Sequence, residues 1–148
     1  MGSPLGPTGI GTNQPLIVPK VQQLMIPATV ARTDTVAKNI GALPAGVIIV
    51  EITILTSAGS NAGTTATLSL GSTSGAPTNI VNVQNVLVAA GTVIYPTSTL
   101  NPTVTFGNII SKTADTQLWG IYAETGTAST SGGPWTFLIG YVKVGATV

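Results

Sequence analysis

Turn-forming clusters recur along this chain at intervals too short for most helices. SAGSNAGTT, GSTSGAPTN, AAGT, TSTLNP and ETGTASTSGGP divide it into runs of strand length. Gly supplies positive φ, Pro presets φ, and Ser, Asn and Thr bond to nearby backbone, so each cluster favours a reversal. Between the clusters Val, Ile and Thr are abundant, and strong helix formers other than Ala and Leu are scarce. No segment keeps a 3.6-residue apolar stripe. No fixed-period repeat points to a solenoid or propeller. Strands are expected near 23–33, 46–56, 64–71, 79–88, 92–95, 102–110, 116–123 and 135–144, with a short one at 36–41. Many short strands between turn signals read as an all-β antiparallel sandwich or barrel. A length of 148 residues suits one such domain with its own core.

The first twenty residues, MGSPLGPTGIGTNQPLIVPK, follow a different rule. Gly and Pro interrupt every period, so local hydrogen bonds cannot order the stretch. Its anchors are Leu5, Ile10, Leu16, Ile17 and Val18, and PLIVPK is an extended run suited to a neighbour's sheet edge. The chain therefore divides into an extended arm at 1–22 and a β-sandwich at 23–148. The arm is expected to gain order against a partner, and packing across its own sandwich is the alternative.

Charge narrows the function classes. Only 6% of residues are charged, against about 25% in typical domains, and the formal net charge is +1. Lys20, Arg32, Lys38, Lys112 and Lys143 are scattered, so there is no cluster of the kind that releases counterions from nucleic acid or grips an anionic membrane. A surface this poor in charge is covered by Thr, Ser, Asn and Gly, buried against partners, or both. GVIIVEITIL, the longest apolar run, is too short to span a bilayer and carries Glu51. No cationic start leads into an apolar core, so export by a signal peptide is not expected.

Two strands are apolar on both faces. Ile48, Val50, Ile52 and Ile54 read as a core face, while Ile49 and Leu55 lie on the other side with Glu51. In the last strand Trp135, Phe137, Ile139 and Tyr141 oppose Leu138 and Val142. A second apolar face calls for a second cover, from another chain or from the protein's own loops. Ile49, Leu55, Leu138 and Val142 are thus the candidates for packing between copies.

Chemistry finds few residues to use. The chain has no His and no Cys. The commonest general base and the soft metal ligands are missing, which speaks against zinc, copper and any Ser–His or Cys–His constellation. The four carboxylates, Asp34, Glu51, Asp115 and Glu124, lie on separate segments with no motif joining them. Asp34 is placed to pair with Arg32, Glu51 reads as an inward or interface charge, and Asp115 and Glu124 read as turn residues. No enzyme activity, cofactor or metal is expected. Trp119, Trp135 and Tyr122 are candidates for a sugar-stacking platform. Their alternation with Ile121, Phe137 and Ile139 favours core or subunit interface instead.

One stretch resembles a known family. GALPAGVIIVEITILTSAGSNAGTTATLSLGSTSGAPTNIVNVQNV followed by AAGTVIYPTSTL is similar to small β-sandwich virion proteins of tailed bacteriophages. The shared features are LPAG leading into an apolar strand, a Gly/Ser/Thr loop, and a T-x-S-x-G strand at Thr67, Ser69 and Gly71. Such proteins occur as head decoration (cement) proteins and as head-spike or fibre-base proteins. The resemblance implies a jelly-roll-like subunit, often a homotrimer, made in the host cytoplasm and seated on the outer surface of an icosahedral shell. Its partner would be the major capsid protein, reached by the arm, and no catalytic signature is carried over. A carbohydrate-binding spike or tail domain for host attachment is the alternative.

Overall fold

A computed structural model describes residues 23–96 and 114–143. The expected strand at 102–110 and the arm at 1–22 lie outside the described residues. Among those residues the elements are all strands: β1 (Gln23–Val30), β2 (Lys38–Leu43), β3 (Val47–Thr56), β4 (Thr65–Gly71), β5 (Val81–Asn85), β6 (Val93–Ile94), β7 (Thr116–Thr125) and β8 (Trp135–Lys143). They form two four-stranded sheets, ordered β1-β8-β3-β6 and β2-β7-β4-β5.

The pairing is nested. β1 pairs with β8, β2 with β7, β3 with β6 and β4 with β5, every pair antiparallel. The chain is in effect one long hairpin, tipped at the β4–β5 turn, that wraps until β3 meets β8 and β4 meets β7. That is the jelly-roll arrangement of an antiparallel sandwich. Each crossing between sheets needs a turn, which is why punctuation is so dense in the sequence.

Local chemistry sets the strand ends. β1 stops at Val30, short of the expected 33, because Ala31 N–H donates to Asp34 Oδ2 at 2.8 Å and Asp34 N–H to the Ala31 carbonyl at 3.0 Å. Those bonds turn the chain out of the ladder. Asp34 also pairs with Lys38 Nζ at 3.2 Å, not with Arg32 as expected. A tight turn aims the two side chains apart, where a strand would have aligned them.

The core lies between the sheets. Trp135, Phe137 and Ile139 enter from β8, Ile52 and Ile54 from β3, Leu68 and Leu70 from β4, and Leu118 and Tyr122 from β7. Two faces differ from the sequence expectation. In β3 the register shifts between Ile49 and Glu51, leaving Val50 as an inserted residue opposite β8. Val47 and Ile49 point inward before this β-bulge, and Ile52 and Ile54 after it. Ile49 is thus a core residue, 3% exposed, and not a contact between copies, while Val50 is 42% exposed. One inserted residue exchanges the two faces of everything before it.

In β7 the inward residues are Leu118, Gly120 and Tyr122, and Trp119 and Ile121 are half-buried on the outer side. Gly120 explains the reversal. A Cβ there would sit 2.5 Å from Val30 Cγ2 and 2.8 Å from Ile40 Cδ1, so neighbouring side chains already fill its place in the core. An inward glycine leaves no apolar mark in the sequence.

Candidate functional site

The outer face of the first sheet carries little charge. Register sets its rows: Pro27, Leu138 and Thr53 lie side by side, and so do Thr29, Thr136 and Leu55, with Val93 beyond. Leu55 and Val93 are 38% and 42% exposed, and Ile48, Leu138 and Val142 are half-buried. Glu51 sits exposed on the bulge at this face, not inward, with the Thr53 hydroxyl 3.4 Å from its Oε1. Of the residues expected to pack between copies, Leu55, Leu138 and Val142 do face outward. Ile49 does not, for the reason given above.

One end of this face is hollowed into a groove of about 360 Å³, lined by Leu55, Ser57, Thr92, Val93, Pro134 and Thr136, with Thr56 and Gly91. No lining side chain is charged. Three segments hold its shape. Ser57 Oγ donates to the Pro134 carbonyl at 2.6 Å, Gly91 N–H to the Thr56 carbonyl at 2.7 Å, and Thr56 N–H to the Thr92 carbonyl at 3.1 Å. Gly91 adopts φ +80° in the turn that brings Val93 back to β3. The sequence carries no sign of this groove, because its walls come from segments far apart in the chain.

A polar cluster fastens the loop after β7. Tyr122 Oη donates to Glu124 Oε2 at 2.6 Å, and Ser129 reaches the same carboxylate through its Oγ at 2.5 Å and its N–H at 3.2 Å. The Ser60 hydroxyl is 2.8 Å from Tyr122 Oη, and Arg32 Nη1 donates to the Ser129 carbonyl at 2.6 Å. Glu124 was expected as a turn residue; it lies within β7 and ties the turn down. Asp115, also read as a turn residue, accepts from Ala45 N–H at 3.0 Å.

Hydrogen bonds from Ser129, then from Tyr122, hold the Glu124 carboxyl below its ordinary value. Burial, then the bond to Glu124, pushes the Tyr122 hydroxyl up. A carboxylate with its lone pairs engaged and its proton affinity lowered is a poor general base. The arrangement serves as a clamp on the loop. Because the folded-state value of Glu124 is lowered, its contribution is present above the ordinary carboxylate range and is lost as pH falls through the folded value. Glu124→Gln is therefore expected to lower the urea midpoint at neutral pH. The difference from the parent should shrink as pH drops below about 4.5, and a difference that persists unchanged in acid would contradict the clamp.

The sugar-platform residues do not converge. Trp135 and Tyr122 are fully buried and stacked on one another, ring centroids 4.9 Å apart and 11° from parallel. Both rings present their faces to the core, so neither offers one to a ligand. Trp119 alone reaches the outside, half-buried on the other sheet. Among the described residues no group of three His, Cys, Asp or Glu side chains is placed to hold a metal ion.

No protein-family model and no curated protein sequence matches this chain. Among solved structures, a chain of the cyanophage Pam1 capsid asymmetric unit is similar, with a TM-score of 0.55 and 17% sequence identity. The match covers 83% of this chain and 86% of that chain, so what the two have in common, at that identity, is a fold extending over most of both.

Proposed function

We propose that this chain is a structural virion protein that decorates and stabilises a bacteriophage capsid, with no catalytic step in its role. The observation that carries the reading is the fold match with the cyanophage capsid unit, which spans most of both chains rather than one motif. The jelly-roll wrapping and the low charge agree with a protein that works by covering surface.

The mechanism is thermodynamic. A protein that binds the assembled lattice and not its free subunits shifts the equilibrium toward the intact shell. Repetition of the site over a symmetric shell lets individually weak contacts add. The arm, through Leu5, Ile10, Leu16, Ile17 and Val18, reaches neighbouring capsid subunits, and copies meet, as a homotrimer, through outward residues such as Leu55, Leu138 and Val142. The seat is the outer surface of the virion.

Cosedimentation with purified shells tests this, alongside quantitative mass spectrometry of particles. Deleting residues 1–20 removes several apolar anchors. Burial of even one is worth about 1.5 kcal/mol or more, so retention on shells should fall at least about tenfold while the sandwich keeps its unfolding midpoint. Undiminished retention would remove the arm from the mechanism. Absence of the intact chain from particles would overturn the reading.

A further inference from the structure

The groove and the root of the arm lie at opposite ends of the first sheet. Gln23 stands in register with Val142, whereas Leu55 in the groove wall stands in register with Thr136, six residues away along β8. At about 3.3 Å per residue that separation is roughly 20 Å. Traced backward from Val30 to Gln23, β1 runs away from the groove, so Gln23, to which the arm is joined, stands at the far end of the sheet.

Leu16, Ile17 and Val18 form the arm's run of three consecutive apolar residues, five to seven positions ahead of Gln23. Fully extended, that length of chain reaches about 17–25 Å. To fill the groove of its own copy it would first have to reverse, which shortens the reach below the distance required. Pro19 is the one turn-favouring residue among Pro19, Lys20, Val21 and Gln22, with no Gly, Asn, Asp or Ser beside it to complete a tight reversal. The same run on another copy meets no such limit.

We propose that the groove walled by Leu55, Val93, Pro134 and Thr136 seats Leu16, Ile17 and Val18 of a second copy of this chain. The chemistry fits on both sides. The groove is apolar and uncharged, and so is the run. Pro15 and Pro19 bracket it, and a residue ahead of proline is held extended, so little conformational freedom is lost on seating. In an extended segment Leu16 and Val18 face the same way and enter together. An arm handed on to the next copy is a head-to-tail contact, which closes into a ring when the rotation allows. On this inference Leu16, Ile17 and Val18 serve the contact between copies instead of the shell, and Leu5 and Ile10, further out, keep the capsid contact proposed above. The inference rests on the oligomer part of the reading above and needs no shell.

The absence of cysteine makes the test clean. Full-length Val18→Cys and Val93→Cys variants are mixed without shells, oxidised mildly and resolved on a non-reducing gel. The control mixture pairs Val18→Cys with Val83→Cys, which is 52% exposed on β5 in the other sheet. A seated segment experiences an effective concentration in the millimolar range, so the Val93 mixture should give at least about tenfold more interchain disulfide than the control. Equal yields would mean random collision and overturn the proposal. So would a Val18→Cys/Val93→Cys double variant that closes on itself at high dilution while the mixture gives nothing. Interchain product together with failed shell cosedimentation of the parent would sink the capsid reading and leave this one standing.

Discussion

Trp135→Ala is expected to cost about 3–5 kcal/mol, roughly a third to a half of the stability of a domain near the middle of the usual range of about 5–15 kcal/mol. Among the described residues Trp135 is the largest fully buried side chain, at the start of β8, in register with Val30 on one side and Thr56 on the other. It stacks on Tyr122 from the opposite sheet, so its loss opens a cavity at the junction of the two layers. Tyr122 also carries the bond to Glu124, and the loop clamp should loosen with it. The comparison is Trp119→Ala, a half-buried residue on an outer face, for which a loss of about 1 kcal/mol or less is expected. Urea unfolding followed by far-ultraviolet circular dichroism separates the two. Equal losses would mean that Trp135 does not join the sheets.

Ile49→Ala should cost about 2–5 kcal/mol, while Val50→Ala, its neighbour, should stay within about 0.5 kcal/mol of the parent. The two residues are alike in chemistry and adjacent in the chain, and differ in the side of the bulge on which they fall. An unbroken pleat through β3 would reverse the order of the two effects. Equilibrium unfolding of both variants under the same conditions decides it, and it also decides which β3 residues are available for contact between copies.

Much of the architecture is legible without coordinates. Turn clusters and β-branched runs predict the described strands to within a few residues, because turn chemistry and strand propensity are local properties of the chain. The core face of β8 follows in the same way: Trp135, Phe137, Ile139 and Tyr141 alternate without interruption, and all four are buried. Glu124 is harder. Its spacing from Ser129 across ETGTAS hints at a side chain reaching over a turn, yet the partners Tyr122, Ser60 and Arg32 come from the pairing of the sheets.

Two faces could be read only from the folded chain. Alternation identifies the two sides of a strand but not which side turns inward, and a single inserted residue reverses the answer. In β3 that residue is Val50, and its insertion is defined by pairing with β8, far away in sequence. In β7 the inward position is Gly120, whose share of the core is filled by Val30 and Ile40 from two other strands. The groove beside β6 has the same origin, its walls drawn together from segments near 56, 92 and 135. Backbone preference and turn chemistry act between near neighbours, so the order of residues is enough to dictate an all-β chain of short antiparallel strands. Register and burial depend on partners that chain order does not bring together, so the division of apolar side chains between core and surface emerges only once the sheets have paired.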